Sequence, residues 1–148
     1  MFKVYERKEF MDFTDYLCFR MGAIARKMTR YYNNKLAPYG ITIVQSWVLF
    51  YLFRQKSSSL KEIANAVQLD SPVVTGLVDR LVKEGLVIRE EDPEDRRSLK
   101  ISLTPRGRQV VEEIAPVVAE YNQRIRSIIP DNDAETFERA LEALEREL

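Results

Sequence analysis

The chain has 148 residues, of which 45% are hydrophobic and 31% are charged, and its formal net charge is zero. This composition is typical of a folded globular domain and not of a disordered chain. With no histidine and a single cysteine, most metal sites, histidine-based catalytic triads and intrachain disulfides are excluded. No glycine-rich phosphate-binding motif is present. We therefore expect neither an enzyme nor a bound metal or cofactor.

The charged residues are unevenly distributed along the chain. Residues 1–36 hold eight basic against four acidic side chains, a net charge of +4, whereas residues 108–148 hold five arginines against ten acidic side chains, a net charge of −5. A neutral chain with this distribution can still present one basic surface. No apolar run approaches the roughly 20 residues of a membrane helix, and residues 1–7 lack the apolar core of a signal peptide. We expect a cytoplasmic protein with no membrane partner.

Apolar residues at helical spacing predict two helices in the first third of the chain. The first covers about residues 8–36 and ends at Pro38-Tyr39-Gly40, and the second runs from Ile43 to Phe53. The second helix is apolar on all sides, which predicts a buried element.

Two short helices joined by a tight turn are predicted next. Ser59 and Glu62 form an S-x-x-E capping box at the start of the first. After the turn, Ser71 is expected to cap the second, with Pro72 at its first helical position, and Gly85 to end it in a left-handed conformation. This order is the helix-turn-helix pattern.

A β-hairpin is predicted directly afterwards. Residues 99–103 alternate between apolar and polar side chains, and residues 86–89 supply a second strand. The tip between them is charged and holds the adjacent arginines Arg96 and Arg97. Thr104 and Pro105 then form a strong helix start. Helix, helix and hairpin in this order predict a winged helix-turn-helix.

Two C-terminal helices complete the predicted fold. One runs from Thr104 to about Ile129, and Pro116 is expected to kink it. The last follows Pro130, and its apolar residues form a seam for another helix, from the same chain or from a second copy. The predicted fold class is mostly α with a small β-hairpin wing. The winged helix-turn-helix occupies residues 37–104, flanked by helices in 1–36 and 105–148.

Two segments resemble the MarR family, bacterial and archaeal regulators named for multiple antibiotic resistance. Asp95 and Arg97 match the family's D-x-R wing signature, and Leu103-Thr104 with Gly107 matches its L-T-x-x-G ending. Residues 75–87 resemble its recognition helix. The resemblance implies a homodimer held together by the helices in 1–36 and 105–148. It also implies a transcriptional regulator, usually a repressor, that binds a pseudo-palindromic double-stranded DNA operator.

The candidate DNA-binding residues lie on the recognition helix and the wing. The start of the helix meets base edges in the major groove, and the wing arginine enters the minor groove. Asp95 is expected to hold an arginine side chain by a charge-assisted hydrogen bond. Gly76 stands where many family members have arginine. For the wing, the alternative is that the charged residues 90–97 form a solvated loop with no role in DNA binding. The candidates are Ser71, Pro72, Val73, Thr75, Gly76, Arg80, Asp95, Arg96, Arg97 and Ser98.

Members of the family respond to small phenolic or anionic effectors or to oxidants. Cys18 and Tyr32 resemble the cysteine and a tyrosine of the OhrR branch, which senses organic hydroperoxides, although the second tyrosine of that branch would align near Ile43 and is missing. A buried apolar cysteine would instead be inert. The other candidate is a pocket between the dimer helices and the winged helix, although aromatic residues at helical spacing are more often core. Its expected lining is drawn from Arg20, Tyr31, Tyr32, Trp47 and Tyr51.

A rival interpretation is a winged helix that contacts only other proteins. It suits the neutral chain, but it leaves Arg96, Arg97 and the capped start at Ser71 and Pro72 without a purpose. A steep fall in DNA affinity with rising salt would favour the DNA-binding interpretation.

Overall fold

The computed structural model describes residues 12–148, which form six α-helices and one antiparallel hairpin. The expected fold class, a winged helix-turn-helix with flanking N- and C-terminal helices, is confirmed. The elements in chain order are α1 (Leu17–Leu36), α2 (Ile43–Arg54), α3 (Leu60–Val67), α4 (Ser71–Lys83), β1 (Val87–Glu91), β2 (Leu99–Leu103), α5 (Pro105–Arg126) and α6 (Asp131–Glu147).

Helix α1 begins later than predicted. The Asp12 carboxylate accepts hydrogen bonds from the backbone N–H and the hydroxyl of Thr14, at 3.0 and 2.8 Å, at the start of a 3₁₀ turn over Phe13–Asp15. Short polar side chains compete with helix formation in this way, and Tyr16 is extended. The predicted helix is therefore wrong for residues 12–16, and residues 8–11 lie outside the described residues. Its predicted end is confirmed, because α1 stops at Leu36.

Helix α2 lies at the centre of the core but is not buried on all sides. Val48, Leu49 and Leu52 are fully buried, whereas Trp47 is 42% exposed. Gln45 and Ser46 are buried instead, because their polar groups are satisfied inside the first turn. The Gln45 side chain accepts from the Thr42 N–H at 2.9 Å, and the Ser46 hydroxyl donates to the Ile43 carbonyl at 2.6 Å.

The turn between α3 and α4 differs from the prediction by one residue. Gln68 adopts a left-handed conformation, with φ 55°, and ends α3. Leu69 packs against the core, so the extended Asp70 becomes the N-cap and its carbonyl accepts from the Val74 N–H at 3.1 Å. The predicted cap at Ser71 is wrong, since Ser71 and Pro72 are the first two helical residues. Proline is tolerated there because the first turn has no intrahelical partner for its N–H.

The wing hairpin has the predicted second strand, whereas its first strand covers Val87–Glu91 rather than residues 86–89. It also has a third, one-residue partner. Strands β1 and β2 are antiparallel, with Val87 opposite Leu103 and Arg89 opposite Ile101. The other edge of β2 pairs with Ser58 through two backbone hydrogen bonds with Ile101, at 2.9 and 2.8 Å. This bridge ties the segment before α3 to the root of the wing.

Helix α5 packs against α1 and α2, and α6 follows it after a short turn. Helix α5 contains Pro116 and ends at Arg126 rather than at Ile129. Helix α6 folds back on its own chain, where Phe137 and Leu141 line a groove with α1 and α5 and Glu138 forms an ion pair with Arg126. No residue of α6 is buried.

Within residues 12–148, no single helix is long and apolar enough to span a membrane. The pair Leu17–Tyr39 and Ile43–Arg54 has the length and composition together, but it is bent by 69° at its break.

Candidate nucleic-acid interface

Helix α4 presents one side to the core and the other to solvent. Val74, Val78 and Leu81 are buried at spacings of four and three, which fixes the rotation of the helix. The opposite side is free for contact with DNA. All six candidates on this helix are exposed: Ser71, Pro72, Val73, Thr75, Gly76 and Arg80.

The surroundings of Thr75 and Gly76 determine what each position can offer to DNA. The Thr75 hydroxyl donates to the Ser71 carbonyl at 2.9 Å, so its proton is used within the helix, and its methyl and an oxygen lone pair remain for a base. A Cβ built on Gly76 meets nothing within 4 Å. Packing therefore does not require glycine at this position.

The wing tip is ordered by aspartates that bind backbone N–H groups. The Asp92 carboxylate accepts from the Glu94 N–H, and the Asp95 carboxylate accepts from the Arg97 N–H, both at 3.0 Å. The predicted hydrogen bond from an arginine side chain to the Asp95 carboxylate is wrong. In this tight turn the carboxylate accepts from the nearer backbone N–H of Arg97 instead. The Arg97 guanidinium consequently extends from the tip without an ion pair among the described residues.

The remaining wing candidates lie beside these aspartates. Arg96 is exposed, as are Asp95 and Arg97, and Ser98 is partly buried. Ser98 closes the tip, because its carbonyl accepts from the Asp92 N–H at 3.0 Å and its N–H donates to the Asp95 carbonyl at 3.0 Å. The tip thus holds two arginines on a hydrogen-bonded loop.

Two ion pairs connect the wing to the helix-turn-helix. Asp79 of α4 pairs with Arg89 of β1, and Glu62 of α3 pairs with Lys100 of β2 at 3.5 Å. The Ser59 hydroxyl also donates to Glu62 at 3.1 Å, and this bond, with help from Lys100, lowers the pKa of the Glu62 carboxyl below its ordinary value. Sequence reasoning missed both pairs, because their partners are far apart in the chain.

The packing around Gly107 explains why the L-T-x-x-G ending needs glycine at its last position. A Cβ on Gly107 would lie 2.0 Å from the Leu86 carbonyl oxygen. The same peptide accepts from the Thr104 N–H at 3.0 Å, while the Thr104 hydroxyl donates to the Gly85 carbonyl at 2.6 Å and accepts from the Gly107 N–H at 3.0 Å. The start of α5 is thereby held against the exit of α4.

A second candidate site is a cleft of ≈520 Å³ between α1, α2 and α5, here called the effector cleft. Tyr32 and Trp47 line it, as expected, but Arg20, Tyr31 and Tyr51 do not. Burial raises the pKa of the Tyr32 hydroxyl above its ordinary value, and the neutral phenol can donate a hydrogen bond to a ligand. The other walls are apolar or small except for the amide of Asn122: Ala25, Met28, Thr29, Ile43, Phe50, Ala115, Val118, Ala119 and Asn122.

Cys18 lies near the start of α1 and is exposed, so the alternative of a buried, inert cysteine is wrong for this chain. Tyr32 lies on the same helix, and at 1.5 Å per residue the two are about 21 Å apart along its axis. A contact between the Tyr32 hydroxyl and the Cys18 sulfur therefore cannot form within one chain.

A helix-turn-helix followed by a hairpin with an arginine-bearing tip defines a winged-helix DNA-binding protein. The family model described as "MarR family" matches residues 41–99. The organic hydroperoxide resistance transcriptional regulator of Bacillus subtilis is 32% identical over 107 residues, which is 72% of this chain and 73% of the relative. SarZ of Staphylococcus epidermidis is 31% identical over 68% of each chain. The chain belongs to the MarR family.

Solved structures agree with this assignment over nearly the whole chain. The Staphylococcus aureus MepR–DNA complex has a TM-score of 0.83 at 27% identity and covers 90% of this chain and 98% of MepR. A MarR mutant from Escherichia coli with operator DNA has a TM-score of 0.81 at 25% identity, covering 90% and 99%. The protein is a DNA-binding transcriptional regulator, and its family consists of regulators rather than enzymes.

Proposed function

We propose that the protein is a repressor that binds a pseudo-palindromic operator as a homodimer and is released by a small-molecule ligand or an oxidant. One observation carries the DNA-binding part. The exposed side of α4 and the Arg97 tip belong to a single unit, because the pair between Asp79 and Arg89 joins the helix to the wing. The helix would enter the major groove while the tip reaches the adjacent minor groove.

The candidate residues have four different roles on this proposal. Thr75 and Val73, near the start of α4, would contact base edges, where methyl groups favour thymine. Arg80 would bind phosphate, which sets affinity without reading sequence. Arg97 would enter a narrow minor groove, where the potential is most negative. Asp95 supports Arg97 by holding its backbone.

The proposed homodimer rests on apolar surface at the ends of the chain. Monomeric proteins rarely expose contiguous apolar patches of this kind. A two-fold dimer predicts operator half-sites about 10 base pairs apart. The exposed apolar side chains on α1, after α5 and on α6 include Leu17, Met21, Ile24, Met28, Ile128 and Phe137.

The DNA-binding proposal is tested by the Arg97→Ala variant. Operator fragments are first selected from random duplexes, and affinity is then measured by fluorescence anisotropy at several salt concentrations. Loss of one minor-groove guanidinium from each protomer of the dimer should weaken binding at least about tenfold and should lower the salt slope by roughly two. Arg139→Ala, on exposed α6, removes the same charge away from the interface and serves as the matched control.

Unchanged affinity of Arg97→Ala at moderate salt would contradict the wing assignment. The absence of salt-dependent duplex binding would instead favour the rival winged helix that contacts only other proteins. Sedimentation of both variants as the same species as the parent protein is required for the comparison.

Two events can release the protein from its operator on this proposal: binding of a ligand in the effector cleft, or oxidation of Cys18. The Bacillus subtilis relative is named for organic hydroperoxide resistance, and an exposed thiol can be oxidised by a hydroperoxide to a sulfenic acid while the peroxide is reduced to an alcohol. If Cys18 is the sensor, one molar equivalent of an organic hydroperoxide per Cys18 thiol should abolish DNA binding of the parent protein but not of Cys18→Ser. If both proteins keep their DNA affinity after peroxide treatment, release belongs to a ligand in the cleft.

A further inference from the structure

Gly76 leaves a gap in the exposed surface of α4. A Cβ built at this position meets nothing within 4 Å, although the residue lies inside the helix, where alanine is more stable than glycine. The backbone does not require glycine either, because the glycines with positive φ among residues 12–148 are Gly40 and Gly85. Neither packing nor conformation of the chain therefore accounts for this glycine.

The neighbours of the gap on its N-terminal side are apolar. Pro72 and Val73 lie four and three residues before Gly76, and residues at these spacings share one side of a helix. Both are exposed, and Val73 is 50% exposed. The space over Gly76 that Pro72 and Val73 border is here called the Gly76 notch.

The charged neighbours of the notch lie one helical turn after it. Asp79 is paired with Arg89 of β1, so its carboxylate is held towards the wing. Arg80 forms no ion pair among the described residues and is available to a DNA phosphate. The notch therefore has an apolar wall on one side and a free cation on the other.

Side-chain N–H donors are missing from this part of α4. No residue from Ser71 to Val78 carries one, and the Thr75 hydroxyl donates to the Ser71 carbonyl at 2.9 Å. Arginine or lysine usually reads guanine, and asparagine or glutamine reads adenine, through pairs of hydrogen bonds that this surface cannot form. It offers apolar contact instead, and thymine is the base that presents a methyl group in the major groove.

We propose that the Gly76 notch receives the C5-methyl group of one thymine in each operator half-site. The methyl group would contact Pro72 and Val73 and would leave water, which is favourable. Glycine allows the backbone to approach a ligand closely, whereas a Cβ at this position would fill the space. The inference rests on the proposed function, because it requires α4 in the major groove, and it adds the base and the chemical group that Gly76 and Val73 select.

Replacement of thymine by deoxyuridine tests the notch, because it removes only the methyl group. Each thymine of the selected operator is replaced in turn at equivalent positions of both half-sites, and the affinity of the full-length protein is measured by fluorescence anisotropy. We expect a loss of about fourfold for each buried methyl group, and so about tenfold or more for the two half-sites, at one thymine position.

Gly76→Ala separates contact in the notch from effects of the methyl group on DNA shape. The new Cβ should weaken binding of the unmodified operator several-fold and should remove most of the uracil penalty. Alanine favours the helix, so weaker binding does not come from unfolding. Gly22→Ala in α1, where a Cβ meets only the Arg26 guanidinium at 3.2 Å, is the matched control and should keep the full penalty.

A second substitution in the DNA tests whether the methyl group is sufficient. The thymine found above is replaced by cytosine and then by 5-methylcytosine, each paired with guanine. The parent protein should bind the 5-methylcytosine operator about fourfold more tightly than the cytosine operator for each half-site, and Gly76→Ala should bind the two about equally.

Three results would overturn the inference. These are an operator in which no thymine is sensitive to uracil, a uracil penalty as large in Gly76→Ala as in the parent, which would assign it to DNA shape, and 5-methylcytosine that binds no better than cytosine. If the parent binds the unmodified operator in a salt-dependent manner, each of these rejects the notch alone. Failure to bind the unmodified operator would reject the proposed function as well.

Discussion

Close packing requires glycine at position 107 but not at position 76. Gly107 sits where α5 touches the Leu86 peptide, and a Cβ there would lie 2.0 Å from a backbone oxygen that cannot move away without disturbing the exit of α4. Gly76 lies on an exposed helical surface with nothing within 4 Å of its Cβ position. Close backbone approach explains the first glycine, and nothing in the packing of the chain explains the second.

The two glycines therefore predict opposite effects on stability. Gly107→Ala should lower the free energy of unfolding by about 1–3 kcal/mol or more, because of overpacking. Gly76→Ala should raise it by about 1 kcal/mol, because alanine is the better helix former. Urea denaturation of both variants measures the difference. A Gly107→Ala protein as stable as the parent would contradict the packing explanation.

Among the contacts between elements, the ion pair of Asp79 with Arg89 has the clearest consequence for DNA binding, because it joins α4 to the wing. Its two side chains are partly exposed, so the pair should contribute less than about 1 kcal/mol to stability. It joins the recognition helix to the wing, and its importance is therefore geometric. We therefore expect loss of the pair to change the angle between α4 and the wing, and to lower DNA affinity more than the free energy of unfolding.

Asp79→Asn tests this positioning role. On charge alone, removing a carboxylate near DNA should strengthen binding. A several-fold weakening of operator binding, with nearly unchanged stability, would identify the carboxylate as a positioning group. Glu90→Gln, on the exposed side of β1, removes the same charge without touching the pair and should not weaken binding. Equal effects of the two substitutions would contradict this role.

At the scale of the whole molecule, the exposed apolar side chains proposed for the homodimer lie on α1, on α6 and in the turn before α6, and none of them is a DNA-binding candidate. Ile128, in the turn between α5 and α6, is 79% exposed, so a charge there costs the single chain little. In the proposed homodimer the same charge would be buried without a partner, which is strongly unfavourable.

Ile128→Glu is therefore expected to shift the protein from dimer to monomer in sedimentation velocity and to abolish high-affinity operator binding. Its circular dichroism should stay that of the parent, because the folded chain does not bury this residue. Ile88→Glu, at an exposed position on β1, is the matched control and should remain dimeric. A dimeric Ile128→Glu protein would place the interface elsewhere.

Local backbone chemistry made much of the molecule predictable from its sequence. The cap at Thr104, the left-handed Gly85, the apolar alternation of β2 and the order of the helices all depend on residues that are neighbours in the chain. Cap, turn and periodicity rules act over only a few residues. For this reason the winged helix and the positions of its candidate DNA-binding residues could be located before any coordinates were known.

Tertiary structure alone decided the features that join distant parts of the chain. The Ser58 bridge to Ile101, the pair of Asp79 with Arg89 and the exposure of Trp47 depend on how elements meet. The partner of Asp95 depends on the shape of the wing turn, where a backbone N–H lies nearer than an arginine side chain. The sequence by itself determined which elements form, because periodicity and capping are local, whereas contacts, cavities and interfaces arise only when those elements pack.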